Sequence, residues 1–440
     1  MAQSAREISM IEALYGFAAL LILVFLRMPL AFAMGIVGFV GFYYLTGNWN
    51  AAEAMASRRV VDTARDYGLS VIPLFILMGN LVSHAGLSDA LFRASNGFLG
   101  HRKGGQAMAT IVACGGFSAI CGSSLATCAT MGRVAMPQMR KYGYKDSLAA
   151  ASIAAGGTLG ILIPPSVMLV IYGIITETSI RELFAAGFIP GILGIVMYLG
   201  AVKWVLWRDP SAGPAAEKVP WNERLAALKN VGSTLALFVL VIGGIYLGIF
   251  TPTEAAGIGA MGAFVIALLK RALTSTILMN VLMDTVRTTA MLFAVVLTAL
   301  IFANFINRAG LPNDLLALVT GLNVAPFVVI LVILAIYVLL GCVFESMSMM
   351  LLTVPVFFPV VAGLGYDLVW FGILVVIVIE ISLITPPVGM NVFVLRAVLP
   401  DVSTGTIFRG VTPFWVAGTI RALLVLIFPA IVLFLPQLLY

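Results

Sequence analysis

Ile163-Pro164-Pro165-Ser166 and Thr385-Pro386-Pro387-Val388 each interrupt a long apolar stretch of the chain. A proline inside a helix removes one backbone hydrogen bond and crowds the carbonyl four residues earlier, so each pair should unwind a helix in mid-bilayer. Unwound backbone survives at that depth where it lines a cavity or a site, and broken helices at matching places in two half-repeats point to the binding site of a secondary transporter. The alternative, prolines that only kink their helices while neighbours and water satisfy the backbone, leaves the matched placement of the two breaks without a reason.

Of 440 residues, 61% are hydrophobic and 10% charged, with a mean hydropathy of +1.09. That composition excludes a soluble globule and predicts an all-α polytopic membrane protein. The first apolar run, from about residue 8 to Leu45, is too long for a cleaved signal and is expected to be retained as membrane span. The net charge of +6 comes from loop arginines and lysines, which membrane topology and an anionic lipid surface explain without nucleic acid. Cys114, Cys121 and Cys128 recur every seventh residue, which would place them roughly on one helix face as small packing residues. His84 and His101 are the two histidines, too far apart in sequence to suggest a metal site. With no H-E-x-x-H and no G-x-S-x-G, an intramembrane hydrolase lacks its machinery.

The chain repeats itself. Asn80 to Leu87 reappears as Asn304 to Leu311, 224 residues later, while Pro137, Gly143-Tyr144 and Pro164-Pro165 reappear as Pro359, Gly365-Tyr366 and Pro386-Pro387, each 222 residues later. Charge separates the copies. The first carries Arg93, Arg102, Lys103, Arg140, Lys141 and Lys145 around its hairpin, whereas the second has no Lys or Arg from Leu311 to Ala362. Under the positive-inside rule the first set faces the cytoplasm and the second faces out, which makes the repeats inverted.

Because both flanks of 106–139 are basic, that segment should enter and leave from one side. Its Gly/Ser-rich middle, Gly115 to Ser124, suits the tip of a re-entrant hairpin, with two ordinary short helices as the alternative. The second hairpin, 325–361, has its tip near Gly341 to Ser348. Spans near 8–26, 29–45 and 68–83 precede the first hairpin; the broken helix 147–173 and a span at 184–202 follow it. A polar connection, 203–230, is expected in the cytoplasm. Spans near 231–250, 254–269 and 287–306, the second hairpin, the broken helix 368–395 and a span at 411–436 complete the path, with both termini outside.

The prolines free the carbonyls of Gly160 and Ile161 in the first break and of Ser382 and Leu383 in the second. Hard cations take oxygen ligands and half-helix C-termini carry negative partial charge, so a sodium site is expected there, completed by the hydroxyls of Ser118, Ser123, Ser382 and Thr385. Half-helix N-termini suit an anionic substrate equally well. Ser124, Ser166, Ser346 and Asn391, which flank tips and breaks, are candidates for substrate contact. Glu345 is the one acid in the second hairpin, an ion ligand or proton carrier unless the tip reaches water. Glu380 precedes its proline pair by six residues, and Thr158 stands at the matching place in the first copy. Arg287, Arg308, Arg396 and Arg421 lie near expected span ends, where snorkelling is the simpler account.

The run Ala154 to Ser166, with Tyr172-Gly173, Ser179, Leu183-Phe184 and Pro190-Gly191, resembles the large, DctM-like membrane subunit of the TRAP (tripartite ATP-independent periplasmic) transporters. The resemblance runs along nearly the whole chain. It implies sodium-driven import of organic acid anions, such as C4-dicarboxylates or sugar acids, across the bacterial inner membrane by an elevator movement, with no cofactor beyond sodium as the coupling ion. Implied partners are a periplasmic substrate-binding protein and a small four-helix membrane subunit, which some relatives fuse to the N-terminus and which is not expected here. Scaffold helices would occupy 1–67 and 231–306, and the repeat cores 68–202 and 307–440. Carried onto the matching motifs, one sodium site would involve Ser118, Ser123, Gly160, Ile163 and Pro165, the other Gly341, Ser382, Thr385 and Val388. The alternative is a stand-alone sodium- or proton-coupled carboxylate symporter of the divalent-anion type.

Overall fold

The computed structural model describes residues 2–322, 324–342 and 344–440, with side chains from Ile11 onward. Val343, in the expected second tip, lies outside the described residues. Before the first hairpin stand α1 (Ala2–Phe25), α2 (Leu30–Thr46), α3 (Trp49–Arg65), α4 (Val71–His84) and α5 (Leu87–Leu99). The hairpin is α6 (Gly105–Cys121) and α7 (Ser124–Lys141); α8 (Asp146–Thr158), a 3₁₀ turn (Leu159–Ile161) and α9 (Val167–Thr176) form the first broken helix. Then come α10 (Ile180–Arg208), α11 (Trp221–Tyr246), α12 (Pro252–Leu269), α13 (Ser275–Arg308) and α14 (Leu311–Gly321). The second hairpin is α15 (Pro326–Gly341) and α16 (Ser346–Gly363), the second broken helix α17 (Leu368–Ser382) and α18 (Met390–Val398), and α19 (Thr404–Ile427) and α20 (Ala430–Leu439) end the chain.

No strand occurs among the described residues, and seven helices are long and apolar enough to cross a membrane. The chain is thus an all-α, multi-pass membrane protein. Three helices were not anticipated: α3, α5 and α14. The first carries Glu53, Arg58, Arg59, Asp62 and Arg65 and no apolar run, so hydropathy does not announce it; Asn48 starts it by accepting a bond from Ala51 N at 3.3 Å. The connection at 203–230 is mostly helix, because α10 and α11 extend into it and leave residues 209–220 irregular. The expected last span divides at Phe428-Pro429, where Pro429 has no amide to continue the ladder.

Each break sits against its own hairpin. Helices gain little in lipid from burying apolar surface, so close approach through small residues has to hold them together. Gly156 and Gly157 of α8 provide it: side chains there would press on Cys114 of α6 and Cys128 of α7. Those two cysteines therefore lie on opposite arms of the hairpin, separated by the turn at Gly122 (φ +63°), not on one helix face. Beyond the breaks the copies interlock, since α9 packs on α16 of the other hairpin and α18 packs on α7.

The broken helices run antiparallel. Arg140, at the end of α7, pairs with Asp146 at the start of α8 (2.9 Å) and with Asp401 just past the end of α18 (2.5 Å), and the guanidinium holds the Asp401 carboxyl below the usual carboxylate range. At the opposite pole Tyr172 Oη of α9 donates to the carbonyl of Leu368, the first residue of α17, at 2.7 Å.

Candidate functional site

The first break is wholly buried from Ile161 to Val170. Of its two freed carbonyls, that of Ile161 accepts the hydroxyl of Ser166 at 2.5 Å, and Ser166 also caps α9 by accepting from Leu169 N at 3.3 Å. Ser166 is turned onto its own backbone, which leaves its hydroxyl little capacity for a substrate. Among the described residues no hydrogen bond falls on the Gly160 carbonyl. Gly160 lies so close to the hairpin that an added Cβ would sit 2.7 Å from Ser118 Cβ and 3.5 Å from the Ser123 carbonyl, and the Pro165 carbonyl faces Gly122. Ser118, itself fully buried, donates its hydroxyl back to the carbonyls of Cys114 and Gly115, so its oxygen lone pairs are left as acceptors. Ser123 caps α7. Ser118, Ser123, Gly160 and Pro165 thus come together at the tip, while Ile163 packs toward Gly115 and Gly191.

The second break matches the first in plan and differs in exposure. Leu383 O accepts from Asn391 N at 3.1 Å and Ser382 O from Thr385 N at 3.0 Å, so both freed carbonyls find amides within the segment. Ser382 Oγ donates to Ile379 O at 2.7 Å and fills the space beside Gly341, where any side chain would collide with it. Thr385 Oγ1 donates to Ile381 O at 2.7 Å and accepts from Trp415 Nε1 at 3.0 Å, which leaves it one lone pair. Cys342 Sγ donates to the Pro386 carbonyl at 3.4 Å. Pro386 and Pro387 are exposed and Val388 half-buried, so this break opens to the surface where the first is closed.

Glu345, the expected ion or proton group of the second tip, caps a helix. Its Oε2 accepts from Met347 N (3.1 Å) and Ser348 N (3.2 Å), capping α16, where a carboxylate complements the helix dipole. It corresponds to Ser123, 222 residues earlier, which caps α7 in the same way; that register was the available signal. Ser124 and Ser346 are the first residues of α7 and α16 and are both buried. Asn391 is fully buried across the two copies: Nδ2 donates to Ala154 O at 3.0 Å, its carbonyl accepts from Cys128 Sγ at 3.4 Å, and Oδ1 has no partner. It shares the Ala154–Gly157 turn of α8 with Ser124, whose carbonyl faces Gly157.

Arg421 does not snorkel. It and Glu380 are fully buried and paired through Nη2 and Oε2, a contact between α19 and α17 signalled in the sequence by Glu380, the one acid of α17, and by Arg421, a base deep inside apolar α19.

The profile described as "Tripartite ATP-independent periplasmic transporter, DctM component" matches residues 17–431. The C4-dicarboxylate TRAP transporter large permease protein DctM of Pseudomonas aeruginosa is 35% identical over 380 residues, 86% of this chain and 88% of that protein. The ectoine TRAP transporter large permease protein TeaC of Halomonas elongata is 32% identical over 423 residues, covering 96% of this chain and 98% of that one. In fold the chain is similar to the crystal structure of the Alcanivorax borkumensis YdaH transporter, with a TM-score of 0.66 at 15% identity over 87% of this chain and 90% of that one. The chain is a membrane permease, not an enzyme, and belongs to the DctM component family of the tripartite ATP-independent periplasmic transporters.

Proposed function

We propose that this chain is the large permease subunit of a sodium-coupled secondary transporter that imports small carboxylate-bearing solutes across the bacterial inner membrane, working with a periplasmic substrate-binding protein and a small four-helix membrane subunit. The observation that carries the reading is the repeated closure of a hairpin tip on its own break, Ser118 on Gly160 and Gly341 on Ser382. Each closure brings helix C-termini, a buried hydroxyl and backbone carbonyls to one point without a basic side chain, which is the surrounding a bare monovalent cation needs. One sodium would be held by Ser118, Ser123, Gly160 and Pro165, with Ile163 as a flank. The other would be held at Gly341, Ser382, Thr385 and Val388.

Asn391 and Ser124, brought to one turn of α8, are the substrate contacts this arrangement favours. Ser346 and Ser166 have weaker claims, one lying at the other tip and the other engaged by its own break. The relatives named for C4-dicarboxylates and for ectoine share a carboxylate in their solutes, and this sets the class proposed here. Antiparallel broken helices, joined at one pole where Arg140 bridges Asp146 and Asp401, support inverted repeats. The interlocking of α9 with α16 and of α18 with α7 makes the hairpins and breaks one body, as an elevator movement requires.

Reconstitution tests the reading. With both partners present, uptake of the solute carried by the binding protein is expected to require an inward sodium gradient. Equal uptake with potassium in place of sodium, at constant membrane potential, would remove sodium coupling. Uptake of free solute without the binding protein would favour the stand-alone symporter.

A further inference from the structure

Thr158 and Glu380 occupy matching places in the two copies, each two residues before the carbonyl assigned to an ion, Gly160 or Ser382. They meet through two other side chains. Thr158 Oγ1 lies 3.3 Å from Tyr198 Oη on α10; the Tyr198 ring centroid is 6.0 Å from the Arg421 guanidinium; and Arg421 binds Glu380. All four residues are fully buried. Arg421 is seated against Gly194 of α10, where any side chain would collide with it.

Helix α19 also splints the second break along its length. Trp415 bonds Thr385, Gly418 packs on Ile381, Arg421 pairs with Glu380, and the Val425 carbonyl accepts from Trp370 Nε1 at 2.9 Å. Stability alone does not explain the charged link. Buried ion pairs can often be replaced by well-packed apolar residues at no loss, and this one leaves Glu380 Oε1, Arg421 Nε and Arg421 Nη1 without partners, which asks for a reason.

We propose that Thr158, Tyr198, Arg421 and Glu380 are positioning residues that form a strut between the two breaks, so that sodium bound at one raises the affinity of the other. This rests on the sodium reading above. An ion that orders the last turn before one break also orders, through the strut, the last turn before the other, so the second ion meets a smaller ordering cost and binds cooperatively.

Sodium binding to the purified full chain in detergent, with choline holding ionic strength constant, measures this. The native protein is expected to bind sodium sigmoidally, with a Hill coefficient between about 1 and 2 for two coupled sites. Tyr198→Phe keeps the ring and removes the hydroxyl. It should bring the Hill coefficient to about 1 and raise half-saturation roughly fivefold, at the lower end of usual couplings, while the melting temperature in sodium-free buffer stays unchanged. Thr158→Val should likewise bring the Hill coefficient to about 1; it also removes the bond the Thr158 hydroxyl donates to Ala155 O and leaves Tyr198 Oη without a partner, so its melting temperature should fall with and without sodium alike, and in sodium binding the double variant should be no worse than either single one. Should Tyr198→Phe fail to fold, Thr158→Val decides alone. Native cooperativity in a folded variant, hyperbolic binding by the native protein, or a loss of melting temperature in Tyr198→Phe that is equal with and without sodium overturns the strut and leaves the sodium sites standing. No sodium binding by the native protein overturns both.

Discussion

Gly341→Ala is expected to cut sodium-driven uptake by about fivefold or more while the protein still folds and reaches the membrane. Gly341 ends α15 and Ser382 ends α17, and a Cβ at Gly341 would collide with both Cβ and Oγ of Ser382. The Oγ can rotate away, but Cβ is fixed to the backbone of a buried helix, so the tip itself must lift from the break. Overpacking of this kind costs about 1–3 kcal/mol, and spent on one ion site that is roughly a 5- to 150-fold loss of sodium affinity. Removing the obstacle should reverse it. On the Gly341→Ala background, Ser382→Gly reopens the space while keeping the carbonyl, so the initial rate of uptake should recover most of its native value. Native-like uptake by Gly341→Ala alone would show that tip and break need not close.

Arg421→Met should prevent recovery of folded protein. It leaves the Glu380 carboxylate fully buried, with no other partner on either oxygen among the described residues, and breaking a buried pair from one side costs about 3–5 kcal/mol. The double variant Glu380→Leu with Arg421→Met removes both charges and should restore the melting temperature to near that of the native protein, because an apolar pair of similar volume commonly replaces an ionic one without loss. Thermal melts followed by size-exclusion chromatography distinguish these outcomes. A single variant that melts like the native protein would mean that Glu380 has found another partner or is neutral.

The repeat, the hairpins and the breaks were legible because each is written in local backbone chemistry: paired prolines, glycine- and serine-rich tips, and an offset preserved over most of the chain. What lay beyond reach was the partner chosen across space. Trp415 on Thr385, Tyr198 on Thr158 and Arg421 on Glu380 all come from α10 and α19, helices whose apolar sequences look alike to hydropathy. Proline geometry indicated which carbonyls lose their helical donors. It did not indicate that Ser166, Thr385 and Asn391 would supply replacements from the same segment, which leaves Gly160 as the carbonyl without one.

The central claim, that two copies of one unit close their hairpins from opposite sides of the membrane, is tested most directly by thiol labelling in oriented vesicles. Cysteines placed one at a time at Lys141, beside the Arg140 cluster, and at Asp367, which caps α17, on a background with the four native cysteines replaced by alanine, report the two poles. An impermeant probe is expected to reach position 141 from the cytoplasmic face alone and position 367 from the outer face alone. Labelling of both positions from the same face would contradict it.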